Sequence, residues 1–230
     1  MTIKRIFLLV AAVIVMATVG TGCSIVGAAK PGDARYKPPM VSDIPMKPLF
    51  EEAVRVIKRY AREELRDVSP AKTVFVPSGQ DMALHCGPQP YEDIADNAAY
   101  CNANKTIYVG EGMLWRAYGE AGKIGVFMIL GHEFGHRIQS QRGMLQFTPI
   151  VPIQSQAWKI AMENQADCYS GALVAYAHTV DTNVSPYGVD LHGLFLDLGS
   201  SPYDPFRDHG TPQERFNAFW TGVYKGAASC

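Results

Sequence analysis

The sequence predicts an α+β chain, a small sheet followed by a mostly helical C-terminal half. Two short β-branched and aromatic runs, at 73–76 and 106–109, precede the main helical segments. Apolar residues then recur at helical spacing over 123–141 and 156–177. No internal repeat is visible, and 230 residues suit one domain.

The elements follow in order. Lys4 and Arg5 precede an uncharged apolar run, Ile6 to Val19, and then Thr21-Gly22-Cys23. That is the layout of an export signal over 1–22. The apolar run is about 14 residues, shorter than the roughly 17–25 of a membrane-spanning helix. Cys23 resembles the lipidated cysteine of bacterial lipoproteins, although Gly20 stands where that pattern has Leu. An uncleaved anchor or an ordinary signal peptide is the alternative, and every version exports the remainder. Residues 23–47 carry Pro31, Pro38, Pro39 and Pro45, the composition of a semi-extended tether. The folded domain is expected over 48–230.

Leu49, Ala53, Val56, Ile57, Tyr60, Ala61 and Leu65 make an amphipathic helix over 48–67, stopped by Ser69-Pro70. Residues 73–76 follow as a strand, 82–85 as a second candidate and 87–104 as a loop. The strand at 106–109 leads into a helix through Met113, Leu114 and Tyr118. Two long helices come next, 123–141 and 156–177. Residues 181–208, rich in Gly, Pro, Asp and Ser, read as irregular. Thr211-Pro212-Gln213-Glu214 then has the capping-box signature of a helix start.

The charge balance excludes some partners. A formal net charge of -1 supplies no basic excess for nucleic acid and no acidic tail. The five cysteines are Cys23, Cys86, Cys101, Cys168 and Cys230. An oxidising compartment permits disulfides. Cys86 and Cys101 bracket a short polar loop and are the first choice for a pair. Cys168 and Cys230 could also join, which sequence alone does not decide.

Residues 131–137 read Gly-His-Glu-Phe-Gly-His-Arg. His132 and His136, four apart on a helix, leave the same face about one turn apart, which lets both reach one zinc ion. Glu133 would then stand beside the metal as a general base. The apolar Ile129, Leu130, Phe134 and Ile138 imply a buried helix, so the alternative of two surface histidines is disfavoured. Gly131 and Gly135 each cost roughly 1 kcal/mol of helix propensity relative to Ala, which a close approach by another element would justify. A zinc site needs a third protein ligand. Glu163 and Asp167, four apart on an otherwise apolar helix, offer a ligand and an acceptor for the second ring nitrogen of His132. Taken alone, the two acids also fit a solvated helix face.

The order Gly131-His132-Glu133-Phe134-Gly135-His136, then Glu163-Asn164-Gln165-Ala166-Asp167-Cys168-Tyr169-Ser170-Gly171, then His209-Gly210-Thr211-Pro212-Gln213-Glu214-Arg215, resembles the bacterial neutral zinc metallopeptidases of gluzincin type. Ala99-Tyr100-Cys101-Asn102 through Ile107-Tyr108-Val109 adds to the likeness, which spans roughly 75–226. Asn164 stands where that family has Leu. The resemblance implies a zincin-like fold, with 106–109 as the edge strand that receives an extended peptide over the active-site helix. It implies zinc on His132, His136 and Glu163, with Glu133 as base. His209 becomes a candidate to stabilise an oxyanion, or else a structural histidine. Arg215 could orient His209 or bind a carboxylate. Tyr169 and Tyr187 are weaker candidates, and His85, His178 and His192 read as structural or exposed.

The expected function is zinc-dependent peptide hydrolysis in the bacterial cell envelope, on a peptide or protein substrate, from a protein anchored by its N-terminal lipid or signal. A non-catalytic zinc-containing envelope binding or assembly factor is the alternative. An amidase acting on cell-wall peptides would share the same metal site.

Overall fold

The computed structural model describes residues 45–80, 86, 94–145 and 155–230. The expected signal at 1–22, nearly all of the expected tether, Cys23, the candidate strand at 82–85 and His85 lie outside them. Among the described residues the fold is α+β: six helices and one three-stranded sheet. None of the helices is long and apolar enough to cross a membrane.

Helix α1, Met46–Glu64, opens the domain. It begins two residues before the sequence reading placed it, within the span assigned to the tether, and Met46 is buried in the core. Pro48 does not prevent this, because the first-turn N–H groups of a helix have no internal partner. Strand β1, Lys72–Val76, follows, then β2, Ala98–Cys101, and β3, Thr106–Gly110.

The strand order is β1-β3-β2, with β1 parallel and β2 antiparallel to β3. The expectation that 106–109 forms the edge is therefore corrected: that strand is central. All its residues but Tyr108 are buried, so both of its faces are covered. The edge beside the helix that carries His132 and His136 is β2, which the sequence reading had placed inside a loop.

Helices α2, Glu111–Ala121, and α3, Lys123–Gln141, run on from β3. Helix α4 spans Gln156–Val180, with Ser155 as N-cap accepting from the Trp158 N–H. A short helix, α5, His192–Leu198, lies inside the stretch read as irregular. Helix α6, Pro212–Lys225, starts with the expected capping box: Glu214 N–H donates to Thr211 Oγ1, and Thr211 N–H donates to Glu214 Oε2. Such a cap stabilises a helix by about 1 kcal/mol.

The core lies where α3 packs on α1, α2 and α4, around Phe127, Leu130, Phe134, Ile138 and Leu173. The glycines of α3 set its distance from α4. A Cβ on Gly135 would come within 2.8 Å of Ala166 Cα, and one on Gly131 within 3.0 Å of Ser170 Cα. Any larger residue would push the helices apart, and with them the histidines of α3 and the acids of α4. Disulfides join Cys86 to Cys101 and Cys168 to Cys230. The second closes a separation of 62 residues, for which the chain-entropy model gives about 4 kcal/mol of stabilisation. Two disulfides fit an oxidising, exported environment.

Candidate metal centre

His132 and His136 project from α3, and Glu163 meets them from α4. Their ligating atoms all lie within 4.8 Å of one another, and among the described residues this is the group able to hold a metal ion. His132 Nε2 is 3.2 Å from Glu163 Oε2, and His136 Nε2 is 3.4 Å from Glu163 Oε1. The two Nε2 atoms are 3.1 Å apart.

The outer ring nitrogens explain how this cluster could hold a metal ion. His132 Nδ1 faces Asp167 Oδ1 at 2.8 Å, and an ionised carboxylate only accepts, so Nδ1 carries the hydrogen. His136 Nδ1 faces Gln139 Oε1 at 2.9 Å. The Gln139 amide is oriented by its nitrogen, which donates to the Met162 main-chain oxygen at 2.7 Å and to Gln165 Oε1 at 3.0 Å. Its oxygen therefore faces the ring, and Nδ1 of His136 donates too. In the neutral rings both Nε2 atoms are then bare lone pairs, aimed at each other and at a carboxylate. Glu163 Oε2 is buried, and while both rings are neutral it has no hydrogen-bond donor. Three converging acceptors in a partly buried place repel unless a proton or a metal ion sits among them.

The electrostatics point the same way. Burial opposes charge on His132, but the Asp167 and Glu163 carboxylates outweigh it and hold the ring up to about 10. Burial opposes charge on His136 as well, and Glu163 raises it nonetheless. Burial would raise Glu163, yet the two imidazoles hold its carboxyl well below the usual range. Asp167 is likewise held low, by Arg215 and His132 against its own burial. The site is built to accumulate positive charge.

Arg215, from α6, is the outermost support. Nε and Nη2 donate to Asp167 Oδ2 and Oδ1 at 2.8 and 2.9 Å, and Nη1 donates to the Leu198 main-chain oxygen at 2.5 Å. It thus binds a carboxylate rather than orienting His209. His209 sits at the rim with its side chain 41% exposed, Nδ1 on Asp208 at 2.7 Å and Nε2 3.4 Å from Glu163 Oε2. Gly210 packs on Asn164, whose amide oxygen a Cβ there would overlap. Ser200 N–H donates to the Gly210 oxygen at 3.0 Å and closes the loop that presents His209.

Glu133 is buried and lines a cleft of about 240 Å³, together with His132, His209 and Ala98 of β2. Tyr169 is turned away: it is buried, and its hydroxyl accepts from Arg142 at 2.8 Å. Tyr187 packs beside His178 and Trp220, apart from the cleft, and His192 is exposed. Gln139 is a site residue that sequence reasoning missed. Its signal was available: an amide three residues past a ligand histidine, on an apolar helix, is within reach of that ring.

Compared with models of known families, with characterised proteins and with solved structures, the chain shows no significant match to any of them.

Proposed function

We infer that this protein is a zinc-dependent peptidase of gluzincin type, working in the bacterial cell envelope. The observation that carries the reading is the three-acceptor cluster of His132, His136 and Glu163, with Glu133 beside it on an open cleft. Imidazole and carboxylate donors suit zinc, and three protein ligands are the number found in catalytic sites, whereas structural sites are closed by four. That count favours catalysis over a non-catalytic zinc-containing factor. When bound, zinc would supply Lewis acidity, activating a water and polarising a carbonyl.

The chain's own groups do the rest. Asp167 and Gln139 fix the tautomers of the two histidines and so keep both Nε2 lone pairs available. Glu133 takes a proton from the attacking water and returns it to the leaving amine. Asp208 holds Nδ1 of His209 and turns Nε2 inward. A protonated Nε2 there donates to the oxyanion.

Strand β2 supplies the docking edge. Gly110 N–H donates to the Asn97 oxygen at 2.8 Å, so every second residue along β2 bonds to β3. Ala98 and Tyr100 therefore turn their main-chain groups to the other edge, which no described strand occupies; the Ala98 N–H there donates to Asn97 Oδ1 at 2.8 Å, a bond that a docking peptide would displace. An extended peptide adds there by main-chain bonds. Lipidation of Cys23 would keep the enzyme at a membrane surface.

The decisive experiment compares wild type with Glu133→Gln on unfolded protein and on cell-wall peptide fragments, with and without a chelator. The expected result is cleavage of protein by wild type alone, lost on chelation, with zinc content unchanged in the variant. Full activity in Glu133→Gln would remove the base assignment. Cleavage restricted to cell-wall fragments would make the protein an amidase.

A further inference from the structure

Arg116 of α2 shares the cleft with Glu133 and His132. Its Nη2 donates to the Asp96 main-chain oxygen at 2.6 Å and lies 3.3 Å from Met113 Sδ. These contacts fix the guanidinium against the turn that leads into β2. Its Nε–H is buried, and no described residue accepts it. Nη1 forms a loose, exposed ion pair with Asp197 Oδ2 at 3.9 Å, beyond hydrogen-bonding distance. The head is thus held in place while two of its donor groups are left without an acceptor. Met113, Met128, Ile129, Phe195 and Phe219 give the cleft apolar wall, alongside the polar Asn97, Ser170 and Asp197. Apolar walls suit a methylene stem, and an anchored guanidinium suits an oxygen at the stem's end.

We propose that Arg116 is a specificity residue of this cleft, receiving the carboxylate of a glutamate-like side chain next to the cleaved bond. The proposal rests on the peptidase reading above. A carboxylate is preferred to an amide because only the charged group gains from the guanidinium's charge as well as its donors. Asp197, near the same head, weakens that preference by like-charge repulsion. A merely structural Arg116, tying α2 to the turn at Asp96, would affect every peptide alike.

The test measures binding apart from cleavage. Zinc-loaded Glu133→Gln protein is titrated with fluorescent peptides that differ only in one residue, Glu, Gln, Leu or Lys, placed in turn at each position. At one position the Glu peptide should bind about tenfold tighter than the Leu peptide. Adding Arg116→Met should erase that difference and leave the Leu peptide unchanged, while Arg116→Lys should retain part of it. Asp197→Asn should widen it. An equal loss for Glu and Leu peptides in Arg116→Met, or an unchanged preference, would overturn the proposal. Wild-type cleavage of the same peptides separates the two readings. Cleavage without a Glu preference removes the subsite and keeps the peptidase. A binding preference without any cleavage removes the peptidase and keeps the subsite.

Discussion

Gln139 holds His136 through a single contact, its amide oxygen 2.9 Å from Nδ1, and it is itself fixed by Met162 and Gln165 of the neighbouring helix. The tautomer of one candidate metal ligand is thus set by the packing of α3 on α4. Gln165 in turn donates to the main-chain oxygen of Cys230 at 2.8 Å, and Cys230 is tied to α4 by its disulfide. The support of His136 therefore extends to Cys230.

Replacing Gln139 with Leu keeps the bulk and removes the acceptor. Outer-shell partners of this kind are typically worth 10–100-fold in metal affinity. Competition against a chromophoric chelator should show zinc binding weakened by that factor in Gln139→Leu, with Gln139→Glu retaining affinity close to wild type. Unchanged affinity in the Leu variant would mean that the contact does not orient the ring.

Acid should compete with the metal. In the metal-free protein His132 titrates at about 10, so near neutral pH it binds a proton that a metal must displace. Zinc affinity should rise with pH toward that value, about tenfold per unit for each proton released. Calorimetry in two buffers of different ionisation enthalpy should count at least one proton leaving at pH 7. Stability has the matching sign. The folded-state value lies above the unfolded one near 6.5, so the contribution of protonated His132 is complete below about 6.5 and fades as pH rises toward 10. The gap in Tm between zinc-loaded and chelated protein should therefore widen over that range. A constant gap, with no proton release, would contradict the electrostatics of the site.

Arg215 is predicted to be the most costly single truncation near the site. It is buried, and both of its bonds to Asp167 are charge-assisted. Removing one partner of a buried pair leaves the other charge uncompensated, at about 3–5 kcal/mol. Arg215→Met should lower stability by that amount in urea unfolding, and Arg215→Lys should recover only part of it, since an ammonium cannot span both oxygens. A loss below about 1 kcal/mol would show that His132 alone suffices for Asp167.

Much of this site was legible in the sequence, because its parts are helical spacings. His132 with His136, and Glu163 with Asp167, are pairs four apart, and a helix fixes their geometry whatever surrounds it. The capping box at Thr211 is local in the same sense. What sequence did not disclose depends on which elements become neighbours. Strand β2 was hidden because Ala98 and Ala99 have low strand propensity and sit in a stretch of loop residues; pairing with β3 makes them a strand. The central place of β3 did leave a trace, an unbroken apolar run in Ile107-Tyr108-Val109 rather than alternation. The partner of Cys168 required knowing that α6 brings Cys230 back against α4.

His209 carries the last prediction. Its imidazole is half in solvent at the cleft rim, held on one side by Asp208 and facing Glu163 on the other. A group in that place has little to do in the resting protein. Its bond to an oxyanion would form only as the carbonyl becomes tetrahedral. Its removal should therefore act on the transition state and leave the ground state alone. Replacing one oxyanion donor typically costs about 10²–10³ in kcat. His209→Phe should show that loss with KM and zinc content nearly unchanged, and Asp208→Asn a smaller loss in the same direction. If His209→Phe instead loses zinc while its remaining loaded fraction turns over normally, then His209 steadies Glu163 and takes no part in the reaction.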